Sequence, residues 1–453
     1  MQLELCDSAP ADWTRLAISD VCQRFTSGGT PSRKLPEYFT GSIPWVKTQE
    51  LTDCVLHDSE EHITEHAIAN SSAKLLPTNT ILMAMYGATV GQLGVLARPM
   101  TCNQACAAMV VDESKVDHRF LYYQLLVCRQ QIKSLSTGAA QQNLSGAQIK
   151  QFVLPYPSRS EQSGVAEFLW QLDRRIDLLR QTNATLESIA QALFKSWFID
   201  FDPVRAKAEG REPEGMDAAT AALFPAEFEE SALGVIPKGW SVRRIEEVAE
   251  RVGMGPFGSN IKVSTFVDTG VPVLTGACLK GTLLEDDDFR FITSEHADRL
   301  AGSLVRKGDI VITHRGTLGQ VSLVPDGTAY ETYVMSQSQF FVRARTDVIT
   351  PEYLAYFLRS PTGQHLLLAN ASQVGVPSIS RPVSYLKALR IVVPPDPVSS
   401  AFSSIAAALH ERIVAGKHQA QHLAGLRDAL LPRLISGKLR LPEAQAQVED
   451  ALA

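Results

Sequence analysis

The chain has 453 residues, more than one hydrophobic core usually supports, so two domains with connectors are expected. With 45% apolar and 20% charged residues there is ample core material, yet no apolar run reaches the length of a membrane span, and the acidic start (Glu4, Asp7, Asp12) lacks the pattern of a secretory signal, so a cytoplasmic location is expected. The net charge of −6 does not exclude a polyanionic partner, because nine acidic and three basic residues fall in 199–236 and the remainder balances to zero.

In chain order, residues 1–157 read as a first globular domain, holding six of the seven cysteines but no Cys-x-x-Cys pair. That pattern suits neither a disulfide framework nor a zinc site, and Cys102 and Cys106 are expected to be small buried residues. Residues 158–200 form a helix. Its apolar residues Val165, Leu169, Leu172, Ile176, Leu179, Leu186, Ala190 and Leu193, with Asn183, alternate four and three apart, which is a heptad seam in need of a partner helix. Asn183 on that seam either fixes register or is solvated on a flank. An acidic linker rich in Pro, Gly and Ala is expected over 201–236.

A second domain, 237–397, follows and resembles the first. Trp13-Thr-Arg-Leu returns as Trp240-Ser-Val-Arg, Ile63-Thr64-Glu65-His66-Ala67 as Ile292 to Ala297, and Ala88-Thr89-Val90-Gly91-Gln92 as Gly316-Thr317-Leu318-Gly319-Gln320. Phe120-Leu121-Tyr122-Tyr123 returns as Tyr353-Leu354-Ala355-Tyr356, and Asn143-Leu144-Ser145 as Ser378-Ile379-Ser380. Matches in one order point to an internal duplication. A second helix, 398–438, repeats the seam with Phe402, Ala406, Leu409, Ile413, Gly416, Ala420, Leu423 and Leu430, Arg427 being the exception. Residues 439–453 are a tail. The fold class is α+β: two similar domains with small mixed, curved sheets, joined by two long antiparallel helices in a coiled-coil-like spacer.

Motifs for catalysis fail on context. Gly253-x-Gly255-x-x-Gly258 matches a dinucleotide fingerprint on paper, but it follows a helix-like stretch, contains Pro256 and opens no apolar helix. No phosphate-binding loop ending in Gly-Lys-Ser/Thr, no Asn/Asp-Pro-Pro-aromatic tetrapeptide and no Gly-x-Ser-x-Gly elbow occurs. His62-Ile-Thr-Glu65-His66 fits a zinc pattern only if one helix carries both histidines, and Thr64 is a better helix cap than a helix interior residue. His418 and His422 share a helix face without a third ligand in view. No metal and no catalytic residue is therefore expected in this chain.

What recurs in both copies is polar, aromatic and glycine-rich. Gln, Asn, Ser and Thr both donate and accept, as base edges require, while Lys, Arg and hydroxyls grip phosphates. Three pairs of loops carry such residues, and the candidates for DNA contact are as follows. The first pair holds Thr30, Ser32, Arg33 and Lys34, with Lys47 nearby, and Ser259, Asn260 and Lys262 in the second copy. The second pair holds Tyr86, Thr89 and Gln92, and His314, Arg315, Thr317 and Gln320. The third holds Gln141, Gln142 and Asn143, whose amides suit adenine, and Ser378 and Arg381. A plain turn, with glycine supplying positive φ, accounts for any one of these loops alone but not for the recurring glutamines.

The chain resembles the specificity subunits of type I restriction-modification systems over nearly its whole length. The strings that carry the resemblance are Gly28-Gly29-Thr30-Pro31-Ser32 with Tyr38-Phe39 and Ile43-Pro44-Trp45, the run Leu193-Phe194-Lys195-Ser196-Trp197-Phe198-Ile199-Asp200-Phe201-Asp202-Pro203, Gly234-x-Ile236-Pro237-x-Gly239-Trp240, and Leu434-Ile435-Ser436-Gly437-Lys438. The resemblance implies two target recognition domains, each reading one half of a bipartite double-stranded DNA site, and two helices that pair antiparallel as a ruler. It also implies two methyltransferase subunits docked on the helices, and leaves open whether a motor-nuclease restriction subunit joins them. S-adenosylmethionine, ATP and magnesium would belong to those partners, with no cofactor on this chain. A helix of about 30 residues is about 45 Å long, so half-site centres would lie roughly ten to thirteen base pairs apart. The competing reading is a DNA-binding adapter of a different methyltransferase-linked phage-defence complex. The helix-pairing residues on either reading are Leu169, Leu172, Ile176, Leu179, Leu186, Leu193, Leu409, Ile413, Leu423 and Leu430.

Overall fold

A computed structural model describes residues 1–136, 143–258, 260–286, 289–372 and 375–452. The chain divides into two compact units, Met1–Leu178 with Ala420–Ala453, and Leu179–Gln419. Each unit therefore holds one globular domain and one half of each long helix. Among the described residues no helix is long and apolar enough to cross a membrane.

The duplication is explicit in the strand order. In the first unit a sheet runs in the order Cys22–Ser27, Cys106–Val111, Ile81–Ala84, Leu93–Leu96, Cys54–Leu56. In the second the order is Ala249–Met254, Gln339–Ala344, Asp309–Thr313, Val321–Leu323. The first four strands correspond one to one. A smaller sheet repeats likewise, with Ile43–Val46 antiparallel to His62–Ile63 and parallel to Thr101–Cys102, and Val271–Leu274 antiparallel to Arg290–Ile292 and parallel to Thr332–Met335. The central strands Ile81–Ala84 and Asp309–Thr313 are buried on both faces, so alternation is lost there.

Each domain is closed by its own ends. Thr14–Ala17 pairs antiparallel with Val153–Tyr156, and Ser241–Arg244 with Arg390–Val393. The stretch Glu246 to Arg251 is not a helix throughout. The helix Ile245–Val248 gives way to the strand Ala249–Met254.

The long helices are Arg159–Phe198 and Asp396–Ile435, each 40 residues rather than about 30. The predicted seam faces inward: Val165, Leu169, Leu172, Ile176, Asn183, Ala190, Phe402, Ala406, Ile413, Ala420, Leu423 and Leu430 are buried, and Leu179, Leu186, Leu193 and Leu409 half-buried. Asn183 does not lie on a solvated flank. Its amide fills the space over Gly416, where a Cβ would lie 2.4 Å from Asn183 Oδ1. Arg427, the exception in the second seam, donates to Asp173 Oδ1 at 2.5 Å, and Asp173 also accepts from Tyr123 Oη at 2.6 Å. A charge on the seam is thus matched by one on the facing helix and tied to the first domain.

The distinctive aromatic run after the first helix has a structural cause. Phe194, Trp197 and Phe198 enter the core of the second unit, where Phe198 lies 4.9 Å from Tyr353 and 5.9 Å from Trp240, and Phe194 lies 5.4 Å from Phe402 (ring centroids). The mirror contact in the first unit is at Gly437, whose φ of +73° ends the second helix where a Cβ would come within 2.9 Å of Trp13 and Pro10. Each opening tryptophan, Trp13 or Trp240, thus meets the end of the helix that belongs to the other repeat.

Two expectations need correction. The stretch 201–236 is not an unstructured linker: it contains the helices Asp202–Ala208 and Ala218–Ala222 and the hairpin Phe228–Ser231 with Gly234–Pro237. Its sparse apolar residues Val204, Phe224 and Ile236 are spaced as anchors and are buried in the second unit's core, while the acids face solvent. Likewise 439–453 is more than a tail. It forms the helix Leu441–Leu452, held by Arg440 to Glu161 at 2.8 Å and by Leu441 over Gly164.

Candidate nucleic-acid interface

Backbone hydrogen bonds bring the three loops of each domain side by side. In the first domain the strand Cys22–Ser27 runs out into Gly28 and Gly29, whose N–H groups donate to Cys106 O (3.3 Å) and Cys102 O (2.9 Å). A Cβ on Gly28 would sit 2.1 Å from Cys102 O, so glycine is needed for the close approach. The turn reached in this way, 103–105, is joined to the second loop by Met85 N donating to Ala105 O at 2.9 Å. The second loop is joined to the third by a bridge between Tyr86 and Asn143, with Leu144 N donating to Met85 O at 2.9 Å.

The second domain repeats these links except that of Gly29, whose place is taken by Pro256 with no N–H to donate. Gly255 N donates to Gln339 O, His314 N to Ser338 O and Ile379 N to His314 O, all at 2.9 Å, and Arg315 bridges to Ser378. Each domain therefore carries one continuous edge in the order first loop, turn, second loop, third loop. The glycines of the second loop take positive φ at matching places, +78° at Gly91 and +80° at Gly319. Each of their carbonyls accepts from a helix behind, from Arg129 Nε at 3.1 Å and from Gln364 Nε2 at 3.0 Å.

On the exposed side of the edge lie Thr30, Ser32, Lys34, Tyr86 and Asn143 in the first domain, and Asn260, Lys262, Arg315, Thr317 and Arg381 in the second, with Ser378 half-buried. Gln141, Gln142 and Ser259 lie outside the described residues. Thr89 and Gln92 are half-buried, and the Thr89 hydroxyl donates to Tyr86 O at 3.3 Å, which holds the loop from within.

Four candidates are engaged internally. Arg33 donates to both oxygens of Glu61 (2.5 and 3.1 Å) and lies 4.2 Å over the Phe39 ring, and Lys47 pairs with Glu60 (2.9 Å) and Glu61 (3.2 Å). The Arg33 hydrogen bond holds the Glu61 carboxyl below its usual range, so these cations are largely neutralised where they stand. His314 is buried at 9% exposure against Phe340, its Nε2 is 3.2 Å from Gln337 O, and burial lowers its pKa. Gln320 is the answer to the recurring glutamine in this copy: Nε2 donates to Gly276 O at 3.0 Å and Oε1 accepts from Thr313 Oγ1 at 3.1 Å, tying the loop to the small sheet.

One pair was missed from the sequence. Gln104 and Gln337, each two residues before the strand beginning at Cys106 or Gln339, are exposed at the middle of the edge. Their recurrence at one place in both copies is the signal that would have found them. Gln104 accepts a hydrogen bond from the Thr30 hydroxyl.

The histidine motif is split as its cap residue requires. His62 opens the two-residue strand His62–Ile63, Thr64 caps the helix Glu65–Ala69 by accepting from Ala67 N, and His66 lies within it. His62 pairs with Asp58 at 2.8 Å, and His418 and His422 are exposed. Glu113, Asp117 and His118 cluster closely enough for a cation, but Arg119 and Arg159 already supply its positive charge, pairing with Asp117 at 3.1 Å each. Burial would raise the Asp117 carboxyl, and the Arg119 hydrogen bond and charge outweigh it, holding it at about 2. The seven cysteines are free thiols, and Cys102 and Cys106 are buried.

Residues 10–188 match the family model described as the type I restriction modification DNA specificity domain. Over 450 residues, 96% of this chain and 95% of the relative, the chain is 27% identical to the type I restriction enzyme MjaIX specificity subunit of Methanocaldococcus jannaschii. Over nearly its whole length this chain is similar to a type I restriction enzyme specificity subunit. It is also 26% identical to the HindI specificity subunit of Haemophilus influenzae over 63% of this chain and 69% of that protein. The fold is shared with the S subunit of a type I restriction-modification system from M. genitalium, at a TM-score of 0.58 and 15% identity, covering 93% of this chain and 96% of that one. The similarity to the M. jannaschii protein extends through both copies, so the repeated edge belongs to the part of the chain that these proteins share.

Proposed function

We propose that this chain is the DNA-reading subunit of a type I restriction-modification complex. Each domain binds one half of a bipartite double-stranded site through its loop edge, and the paired helices set the spacer and carry the docking surface for two methyltransferase subunits. The observation that carries this reading is the edge itself: the same three loops and turn, joined by the same backbone links, present donor–acceptor side chains and cations in both domains. Amides and hydroxyls read base edges, and Lys34, Lys262, Arg315 and Arg381 suit phosphates or guanine. Methyl transfer, with S-adenosylmethionine, and any ATP- and magnesium-dependent cleavage belong to the partner subunits, so this chain is non-catalytic and acts in the cytoplasm where its DNA is. The test is co-expression with and without a methyltransferase subunit, followed by methylation sequencing of the host DNA. Methylation of a split sequence only when both are present supports the reading. Methylation by this chain alone, or of an unsplit sequence, contradicts it.

A further inference from the structure

The two edges differ at one corresponding position, three residues beyond the strands Cys22–Ser27 and Ala249–Met254. The first domain has Thr30 there, bonded to Gln104. The second has Phe257, 86% exposed, beside Gln337. An exposed aromatic on a loose loop would mean little, but this loop is fixed on both sides of it. Pro256 is buried, Gly255 N is bonded to Gln339 O at 2.9 Å, and Asn260 N closes a turn onto Phe257 O at 2.8 Å. A cavity of about 370 Å³, lined by Pro256, Phe257, Phe266, Thr275, Arg290 and Gln337, lies next to the ring. Phe266 lines the same cavity, yet the Phe257 ring stays open to solvent on the face of the loop that also carries the exposed Asn260 and Lys262.

We propose that Phe257 is a wedge that enters the base stack of the half-site read by the second domain. A flat apolar side chain that follows the anchored Gly255-Pro256 pair, with amides and a cation nearby, fits the partly unstacked step that such wedges create, and base faces stack on aromatic rings whatever their sequence. The first domain, with Thr30 and Gln104 at the same place, reads its half-site by hydrogen bonds without a wedge. The two halves of one target are read by different physics, the second partly through the deformability of its base steps.

This inference rests on the DNA-reading function proposed above. The test uses the full chain copurified with its methyltransferase and duplexes bearing the split site assigned by methylation sequencing, with 2-aminopurine placed at successive steps of both half-sites. Away from the target adenines, which the methyltransferase itself extrudes in both half-sites, wild-type protein is expected to raise the fluorescence severalfold at one step in one half-site only. Phe257→Ala should abolish that rise and weaken binding about tenfold, Phe257→Trp should retain it, and Thr30→Ala should leave it unchanged. Thermal melting of Phe257→Ala should match wild type, since so exposed a ring packs on little. An unchanged rise in Phe257→Ala, or no rise in a wild-type complex that binds the split site, overturns the wedge and leaves DNA reading intact. Failure of the wild-type complex to bind any split duplex overturns both.

Discussion

At the scale of single residues, the edge separates side chains that face outward from those that hold the loops in place, and the two kinds should fail differently. Arg315 is exposed and bridged to Ser378 through its backbone, so Arg315→Ala should leave melting unchanged and weaken binding at one half-site by about 1–3 kcal/mol if it reads a base, or lower the salt dependence by about one phosphate if it does not. Gln320→Ala removes two internal hydrogen bonds and should cost about 1–3 kcal/mol of stability while leaving the recognised sequence as it was. Melting curves and a binding series in salt separate these outcomes. The buried His410 supplies a pH test. Its ring stacks on Tyr356 at 5.8 Å and its Nε2 lies 3.0 Å from Tyr356 Oη, and burial lowers its pKa from 6.5 to about 4. The folded state prefers the neutral ring, so its stability is complete above pH 6.5 and is lost as pH falls toward 4, by on the order of 3 kcal/mol at the limit. His410→Gln should flatten that part of the melting-temperature profile. Which loops would carry polar contacts was legible from their recurrence, but Arg33, Lys47, His314 and Gln320 were not separable from exposed neighbours. Their partners Glu61, Gly276 and Gln337 come from distant parts of the chain, and no local pattern records that pairing.

At the scale of elements, periodicity was the clearest signal because burial on one helix face follows directly from spacing. All nine positions of the first seam, from Val165 to Leu193, are buried or half-buried, while the off-seam Leu178 and Ile189 are 61% and 49% exposed. What spacing could not tell is which residue faces which. Asn183 and Gly416 look like two separate weaknesses in the sequence and form one contact in the fold. Gly416→Ala should therefore fail to deliver the roughly 1 kcal/mol that alanine normally gains over glycine in a helix. In an Asn183→Ala background the same change should deliver it, and a double-mutant cycle by denaturant unfolding should give a coupling of about 1 kcal/mol or more. Additive effects would show that the two do not touch. The stretch 201–236 misled for the opposite reason. Its composition is that of a linker, and three well-placed anchors, Val204, Phe224 and Ile236, suffice to fold it onto a core.

At the scale of the whole molecule, the duplication was readable as a series of short matches, whereas the way the helices are shared was not. Each long helix contributes one half to each unit, so the seam is completed in both units by segments more than two hundred residues apart in the chain. The aromatic run Leu193 to Pro203 reads as part of the first repeat and is a component of the second unit's core. On the proposed function, this sharing of the helices has a consequence for the spacing of the two half-sites. Helix length should govern the spacer, and the loop edges alone should govern the bases. The most direct measurement is methylation sequencing of cells carrying the complex after one heptad is removed from each long helix, between Val165 and Leu193 and at the facing positions of Asp396–Ile435. The account predicts unchanged half-sites separated by a shorter spacer, by at most about three base pairs from the ratio of the two rises. Altered half-sites at an unchanged spacing would contradict it.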